Sequence, residues 1–394
     1  DAGADVASLS VEVTGAPAGF RWQLDGAEAD LKVAETAAGL TLVGEGLPAP
    51  DPPQEAPGDA EHGPVLRYAW GPAATWGDVG RWYQGLLGEL PAAAPEVRAK
   101  ARELTAGLDD PRQRLEALLA FARRDVRYVA VEVGIGGYRP SPPAETMARG
   151  WGDCKDKSLL LVELLAEAGI DAYPALIRLG DTERIDPAFP TPFVFNHAIV
   201  AVAADGLAVT GTDPLSEGLL FVDPTDDRST SRWLHEAVQD QHALVVRPAG
   251  AALVPSPKLF DQNRRELQVT VTVGPDGTAR GRAELALGGS YGSVVRSLLA
   301  GAKPHEVEET ARRVFASLLP AVELGSVSWG LDESGPAPRG LFSAEVSVPG
   351  LVPAGGSTSF ALPALSGTPS VSILDERTEP VMLAPGVSRE RWTL

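Results

Sequence analysis

The sequence predicts an α+β protein with a central core between two β-rich regions. The first observation is one strongly apolar helix over residues 153–168. The second is the change to strand-like patterns after that helix, at 172–179, 193–203, 219–223 and 243–247. A buried helix followed by strands is an α+β plan. Since 394 residues exceed one ordinary core, we expect a β-rich N-terminal region over 1–85, a core over 86–250 and a β-rich C-terminal domain over 251–394.

The composition excludes several classes of partner. Apolar residues make up 44% of the chain and charged residues 22%, as in a soluble globular protein. The net charge is −19, so nucleic acid and anionic membrane surfaces are not expected as partners. No stretch approaches the roughly 20 apolar residues of a transmembrane helix. A single cysteine excludes an internal disulfide and a multi-cysteine zinc site.

The N-terminal region combines short strands with aromatic side chains. Residues 8–13 and 39–43 alternate with period 2, which predicts two strands. An aromatic cluster follows near the expected domain boundary, at Tyr68, Trp70, Trp76, Trp82 and Tyr83. Such a cluster can form a binding surface, but it more often seals one domain onto another.

The core begins with helices. Two helices are expected over 91–125, the second starting at Asp110 and Pro111, a capping residue followed by proline. Residues 127–133 are typical of a strand, which ends at a glycine-rich run. Leucines cover most of the circumference of helix 153–168, so it should be buried on several sides.

The C-terminal region predicts a hairpin and one helix. Residues 266–273 and 280–287 alternate strictly on either side of a Gly-Pro-Asp-Gly turn at 274–277. One helix is expected after the hairpin, and its apolar stripe consists of Val307, Ala311, Val314, Phe315 and Leu318. Further strands complete this domain.

Cys154 is the strongest candidate for chemistry. It lies where a glycine-containing loop becomes the long helix, between Asp153 and Lys155. The helix dipole and free backbone N–H groups at a helix start favour a thiolate. Lys155 and Lys157 add positive charge. A purely structural cysteine is more usual within an apolar stripe.

A cysteine nucleophile needs a base, and the base needs an orienting acceptor. His197 lies in a strand that is apolar on both faces, although a core histidine bound to any polar partner is the commoner explanation. Asp223 ends an apolar strand before Pro224. Asp213 also precedes a proline, but it lacks the apolar run, which favours Asp223.

Three segments resemble the bacterial transglutaminase-like superfamily over about residues 86–250. They are Gly152-Asp-Cys-Lys-Asp-Lys157, Phe195-Asn-His197 and Val222-Asp-Pro-Thr225. The resemblance implies a papain-like core with Cys154 as nucleophile, His197 as base and then acid, and Asp223 as orienter. It further implies cysteine-dependent acyl transfer on protein or peptide amides, by cross-linking to an amine donor or by hydrolysis.

The resemblance also implies a bacterial protein of the periplasm or cell envelope, with the cytoplasm left open. The N-terminal region is shorter than the β-domains that accompany this subgroup, so we expect it to be part of a larger domain.

An oxyanion hole supplies about 3 kcal/mol per donor. The backbone N–H of Cys154 is one donor by position. Tyr138 and Trp151 are the candidates for the second, although each could simply pack the loop. No cofactor is expected. No metal site is expected either, since the nearby aspartates lack calcium-loop spacing.

A second function belongs to a different class. The large share of the chain outside the core is compatible with a catalytically silent scaffold or binding module of the cell envelope. The presence of all three triad residues argues against it. A His197 ring far from the Cys154 sulfur would favour it.

Overall fold

The computed structural model describes residues 6–25, 31–36, 39–47, 65–71, 73–88, 90, 94–130, 134–180, 185–227, 229–319, 322–350 and 387–393. The following paragraphs concern these residues. Their mixture of helices and mainly antiparallel sheets confirms the α+β class.

The N-terminal region contains five strands in two small sheets. They are β1 (Val6–Thr14), β2 (Arg21–Asp25), β3 (Leu31–Thr36), β4 (Gly39–Leu47) and β5 (Val65–Ala69). One sheet has the order β1-β4-β3, and β2 pairs with β5. The strands predicted at 8–13 and 39–43 are confirmed, and they pair with each other, Val13 opposite Leu40.

Five helices and two short strands come next. They are α1 (Trp76–Gly88), α2 (Pro95–Leu104), α3 (Pro111–Arg124), β6 (Arg127–Tyr128), α4 (Pro143–Arg149), β7 (Trp151–Gly152) and α5 (Cys154–Glu167). Asp110 caps α3 as predicted, accepting a 2.9 Å bond from the backbone N–H of Arg112.

The strand predicted over 127–133 is wrong in extent. Only Arg127 and Tyr128 are in a strand, residues 129–130 are not, and 131–133 lie outside the described residues. Its partner β7 is two residues long because the cap of α5 begins directly after it.

A six-stranded antiparallel sheet forms the centre. Its strands are β8 (Ala172–Ile177), β9 (His197–Ala203), β10 (Leu215–Ser216), β11 (Leu219–Val222), β12 (His242–Arg247) and β13 (Gly250–Pro255). The order is β10-β11-β9-β8-β12-β13. The strand predicted from residue 193 begins instead at His197, because Pro192–Val194 form a short 3₁₀ turn capped by Thr191.

Helices α1 and α5 each contribute one residue of the candidate site to the same apolar cluster. Tyr83 of α1 and Cys154 of α5 pack with Leu176, Ala198 and Leu244 of the central sheet. The domain limits predicted at residues 85 and 250 therefore fall within elements of this core, in α1 and at the start of β13. The division into three domains stays a prediction.

The C-terminal region is a five-stranded sheet with two helices. Its elements are β14 (Arg264–Val273), β15 (Ala279–Gly288), α6 (Ser290–Gly301), α7 (Pro304–Leu318), β16 (Glu323–Asp332), β17 (Arg339–Val348) and β18 (Val387–Thr393). The order is β16-β17-β15-β14-β18, and within this sheet the β14–β18 pair is parallel while the other described pairs are antiparallel. The predicted hairpin is confirmed as β14 and β15.

The prediction of one helix in this region is wrong, because α6 precedes α7. The buried residues of α6 are Gly292, Ser293 and Val295, a weak apolar stripe. Small residues are needed there, since a Cβ on Gly292 would lie 1.9 Å from the carbonyl oxygen of Pro338. The predicted stripe lies on α7, where Val307, Ala311, Phe315 and Leu318 are buried.

Within the described ranges, none of the helices has the length and apolar character needed to cross a bilayer.

Candidate active site

Cys154 is the first residue of α5 and is 6% exposed. Asp153 caps the helix, accepting from the backbone N–H of Asp156, while the Asp156 carboxylate accepts from the backbone N–H of Asp153. This reciprocal capping fixes the first turn. The thiol therefore lies at a helix N-terminus whose first N–H groups have no intrahelical partner.

The charges around Cys154 are almost all paired. Lys155 forms an ion pair with Asp153, and both side chains are buried. Asp156 accepts from Arg149 at 2.5 Å and from the backbone N–H of Ser141 at 2.6 Å. The carboxylates of Asp153 and Asp156 are therefore engaged in contacts that stabilise the loop. Among the described residues, no group of three metal-ligating side chains is found.

The sequence predicted that Lys157 adds positive charge beside the thiol, but its ammonium group points elsewhere. Its side chain is 1% exposed, and Nζ donates to the carbonyl oxygen of Val126 at 2.7 Å. Burial lowers the pKa of Lys157 to about 8, although Asp227 and Asp223 oppose this change. Its main contact is thus with the segment that follows α3.

His197 and Asp223 lie close together in the core. β9 and β11 are antiparallel neighbours with Val200 opposite Val222, so the start of one strand meets the end of the other. Nε2 of His197 is 3.0 Å from Oδ2 of Asp223, and both residues are buried. The second oxygen, Oδ1, accepts from the backbone N–H of Thr225 at 2.8 Å and from its hydroxyl at 2.7 Å.

This arrangement raises the pKa of His197 to about 10. Burial alone would lower it, but the Asp223 carboxylate outweighs burial, and the neighbouring Cys154 side chain acts in the same direction. Burial would raise the pKa of Asp223, yet His197 and Thr225 hold it below its usual range. A protonated imidazole donating Nε2–H to an ionised carboxylate follows from both shifts.

A second link positions α5 against β9. The hydroxyl of Ser158, one turn after Cys154, donates to the carbonyl oxygen of Ala198 at 3.0 Å. Ala198 directly follows His197. Ser158 stands in a largely apolar helix, and this bond gives the polar side chain a defined partner.

A cavity of about 300 Å³ joins the thiol to the imidazole. Cys154 and His197 both line it, together with Tyr83, Tyr138 and Lys155. Asp223 lies behind His197, as an orienting group would.

The two predicted oxyanion candidates are in different places. Tyr138 is in the cavity wall. Its ring packs edge-on against the rings of Trp82 and Phe193, with ring centroids 5.3 Å and 6.1 Å apart. Trp151 is not part of that wall, and its ring lies 4.0 Å from the Arg149 guanidinium. Trp151 therefore packs against the loop.

Tyr83 is a cavity residue that sequence reasoning missed. It is 2% exposed, and its pKa is raised by burial first and then by negative charge at Cys154, Asp153 and Asp156. The sequence placed Tyr83 in the aromatic cluster, but this pattern did not indicate that Tyr83 contacts the start of α5.

Asp213, the weaker acid candidate, has a structural role. Its buried carboxylate lies 3.2 Å from Nη2 of the equally buried Arg112, and it accepts a 2.7 Å bond from the backbone N–H of Thr210. It pairs with an arginine of α3, so it does not compete with Asp223 for the imidazole.

No protein-family model matches this chain, and no curated protein sequence matches it. Solved structures give distant similarities. A provisionally assigned protease of Parabacteroides distasonis is 13% identical with a TM-score of 0.45, covering 86% of this chain and 66% of its own. The periplasmic domain of TgpA from Pseudomonas aeruginosa is 18% identical with a TM-score of 0.24, covering 55% and 68%.

A provisionally assigned cysteine protease of Cytophaga hutchinsonii is 10% identical with a TM-score of 0.26, covering 63% of this chain and 75% of its own. This chain thus spans just under two thirds of the length of the Parabacteroides protein. Identities and TM-scores at this level assign neither a family nor an activity.

Proposed function

We propose that this protein is a cysteine-dependent acyl-transfer enzyme of the transglutaminase-like kind, acting on amides of proteins or peptides. One observation supports this more than any other. Cys154 and His197 line the same cavity, while the far nitrogen of the His197 ring faces Asp223 at 3.0 Å. A thiol, an imidazole and a carboxylate in that order are the parts that nucleophilic acyl transfer needs.

The first half-reaction forms a thioester. The Cys154 sulfur, its proton held by His197, attacks the amide carbonyl carbon and gives a tetrahedral oxyanion. Nε2 of His197 is engaged with Asp223, so Nδ1 is the nitrogen left for proton exchange. Collapse of the oxyanion breaks the C–N bond as His197 donates its proton to the leaving amine.

The second half-reaction releases the acyl group. His197 removes a proton from water or from an amine, which then attacks the thioester. Water yields a carboxylic acid, an amine yields a new amide, and in both cases the sulfur leaves with its electron pair. No cofactor enters either step. A periplasmic or envelope location is part of the same proposal.

The oxyanion is assigned to two donors. The backbone N–H of Cys154 is available at the helix start. We assign the second donor to the hydroxyl of Tyr83, a buried residue that lines the cavity with Cys154 and whose raised pKa keeps the hydroxyl protonated. Tyr138 is the competing donor in the same wall.

Chemical labelling tests the nucleophile. We expect iodoacetamide to alkylate Cys154 rapidly in the folded protein at pH 6.5, because the raised pKa of His197 leaves a protonated imidazole beside the sulfur. The rate is measured by mass spectrometry against the urea-unfolded protein. Equal or slower labelling in the folded state would contradict the proposal and favour the silent scaffold.

Turnover tests the reaction class. Peptide anilides are supplied with and without dansylcadaverine, which separates hydrolysis from amine transfer. Cys154→Ala should abolish both without changing the unfolding curve. Release of the aniline by Cys154→Ala at the native rate would refute a cysteine-dependent mechanism.

Tyr83→Phe separates the two oxyanion candidates. Loss of one donor should lower turnover about 100-fold or more, since phenylalanine keeps the packing but not the hydroxyl. Tyr138→Phe is the matched variant. Alkylation by iodoacetamide forms no oxyanion, so its rate should change far less. Unchanged turnover in Tyr83→Phe with a large loss in Tyr138→Phe would reverse the assignment.

A further inference from the structure

A large groove, here called the aromatic groove, lies beside the catalytic cavity. Its volume is about 730 Å³, and its walls include Tyr68, Trp70, Trp82 and Phe193. Three of these side chains are unusually exposed for their type: Phe193 at 74%, Trp70 at 59% and Tyr68 at 50%. Exposed apolar groups gathered in a concave site mark a place where a ligand is bound.

The aromatic groove is separated from the cavity that contains Cys154 by a shared aromatic wall. Tyr138 lines the cavity, and its ring contacts both Trp82 at 5.3 Å and Phe193 at 6.1 Å, which are groove residues. The same chain segments supply both sites. Trp82 precedes Tyr83 on α1, and Phe193 lies shortly before His197. A peptide bound in the groove would therefore lie next to the cavity of the thiol.

The groove is held in shape before anything binds. Nε1 of Trp76 donates to the carbonyl oxygen of Pro187 at 2.8 Å, and its ring packs edge-on against Phe195 at 5.8 Å. Arg21 of β2 donates to the carbonyl oxygen of Pro190 and lies over the Phe189 ring. These contacts tie the segment before β9 to α1 and β2, which lowers the cost of ordering on binding.

Apart from one arginine, the walls of the groove favour an apolar occupant. Arg81 is paired with Asp78. Arg21 contacts a carbonyl oxygen and a ring and keeps its positive charge, and its Nε is buried without a hydrogen-bond partner. The remaining surface consists mainly of aromatic and apolar atoms. Stacking and edge-on contacts with an aromatic side chain are the interactions that such walls provide.

We propose that the aromatic groove is the specificity subsite of the enzyme and binds the part of a peptide substrate that carries a large aromatic side chain next to the amide at Cys154. This assignment rests on the proposed acyl-transfer function for its catalytic consequence. The binding itself does not require a working triad, so the two can be tested apart.

The first experiment measures binding without chemistry. The Cys154→Ala variant is titrated with acetyl-Gly-Phe-Gly-Gly amide and with its alanine counterpart, and tryptophan fluorescence is followed because Trp70 and Trp82 line the groove. We expect the phenylalanine peptide to bind at least about tenfold more tightly. Equal affinity for both peptides would overturn the proposal. So would tighter binding of chitotriose, used as a glycan probe, than of the phenylalanine peptide.

The second experiment uses the reactive protein. Peptidyl chloromethyl ketones carrying Phe or Ala are compared, each inactivation rate being divided by the iodoacetamide rate of the same variant. The Phe/Ala ratio should be about ten or more in the native protein and fall towards one in Phe193→Ala and in Trp70→Ala. Tyr291→Ala, a partly exposed aromatic on α6, is the matched control and should keep the native ratio.

The outcomes separate the two proposals. A native ratio near one, or a ratio unchanged in both groove variants, overturns the subsite. If neither ketone nor iodoacetamide modifies Cys154, the acyl-transfer function fails, and the fluorescence titration alone decides whether the groove binds the aromatic peptide.

Discussion

His197 and Asp223 combine deep burial with a charge pair, which makes this contact sensitive to pH. Asp223 is 2% exposed, and its carboxylate accepts hydrogen bonds from His197 and Thr225. Removing one member of a buried pair leaves an uncompensated charge and costs about 3–5 kcal/mol. We therefore expect the pair to stabilise the fold as well as to orient the imidazole.

The first prediction concerns unfolding as a function of pH. The pKa of His197 is raised from 6.5 to about 10 on folding, so the folded protein holds this proton more tightly. The resulting stabilisation is complete below pH 6.5 and is lost as the pH rises towards 10. Urea unfolding of the native protein and His197→Gln, from pH 6 to pH 10, measures it.

The expected result is a stability difference that is largest at pH 6 and shrinks steadily with rising pH. His242→Gln is the matched control, since His242 is a partly exposed histidine of the same sheet. The difference in free energy of unfolding between the native protein and this variant should not show the same decrease with pH. A difference between native and His197→Gln that is flat over the range, or grows with pH, contradicts the charge pair.

At the level of single residues, sequence reasoning found the side chains that sit in local motifs. Cys154, His197 and Asp223 each lie at the end of a helix or strand with a recognisable pattern. Tyr83 could not be found in this way, because nothing near it in the chain indicates that α1 packs beside the start of α5. Its role depends on tertiary packing alone.

Between elements, α1 packs closely against β13, and the site depends on this contact. Gly80 has no room for a side chain, because a Cβ there would lie 2.0 Å from Cβ of Ala251. α1 supplies Tyr83 to the cavity and Trp82 to the aromatic groove. A small displacement of this helix would therefore change both sites.

The second prediction uses two glycines of the same helix. Gly80→Ala should destabilise the fold by about 1–3 kcal/mol, the usual cost of overpacking, and lower turnover because Tyr83 moves. Gly85→Ala is the matched control, since nothing lies within 4 Å of its added Cβ, and alanine there should be neutral or stabilising by up to about 1 kcal/mol. Both are measured by urea unfolding and anilide turnover. Equal effects of the two changes would contradict the close packing.

Element boundaries were predictable where pattern and capping agree. The cap at Asp110, the hairpin of β14 and β15, and helix α5 all carry strong local signals. The signals fail for α6, whose buried positions are Gly292, Ser293 and Val295. They also fail for the start of β9, where Pro192 favours a turn over a strand. At α6 a tertiary contact decides the outcome, because Gly292 packs against Pro338; at β9 the local turn capped by Thr191 does so.

Across the whole molecule, the candidate site draws on segments that are far apart in the chain. The sheet holds His197 and Asp223, α5 holds Cys154, and α1 adds Tyr83. Segment 185–195 connects the sheet to β2 through Arg21 and to α1 through Trp76. The helix and strand patterns predicted the α+β class, but no local pattern could predict that Tyr83 forms part of the cavity wall.

That wall has a consequence for how such a protein changes over time. The proposed reacting groups lie after residue 150, whereas much of the aromatic surface lies before residue 90. Under the proposed function, changes before residue 90 would thus redirect the choice of substrate while Cys154, His197 and Asp223 stay the same. A designer wishing to retarget this scaffold would begin with α1 and β5.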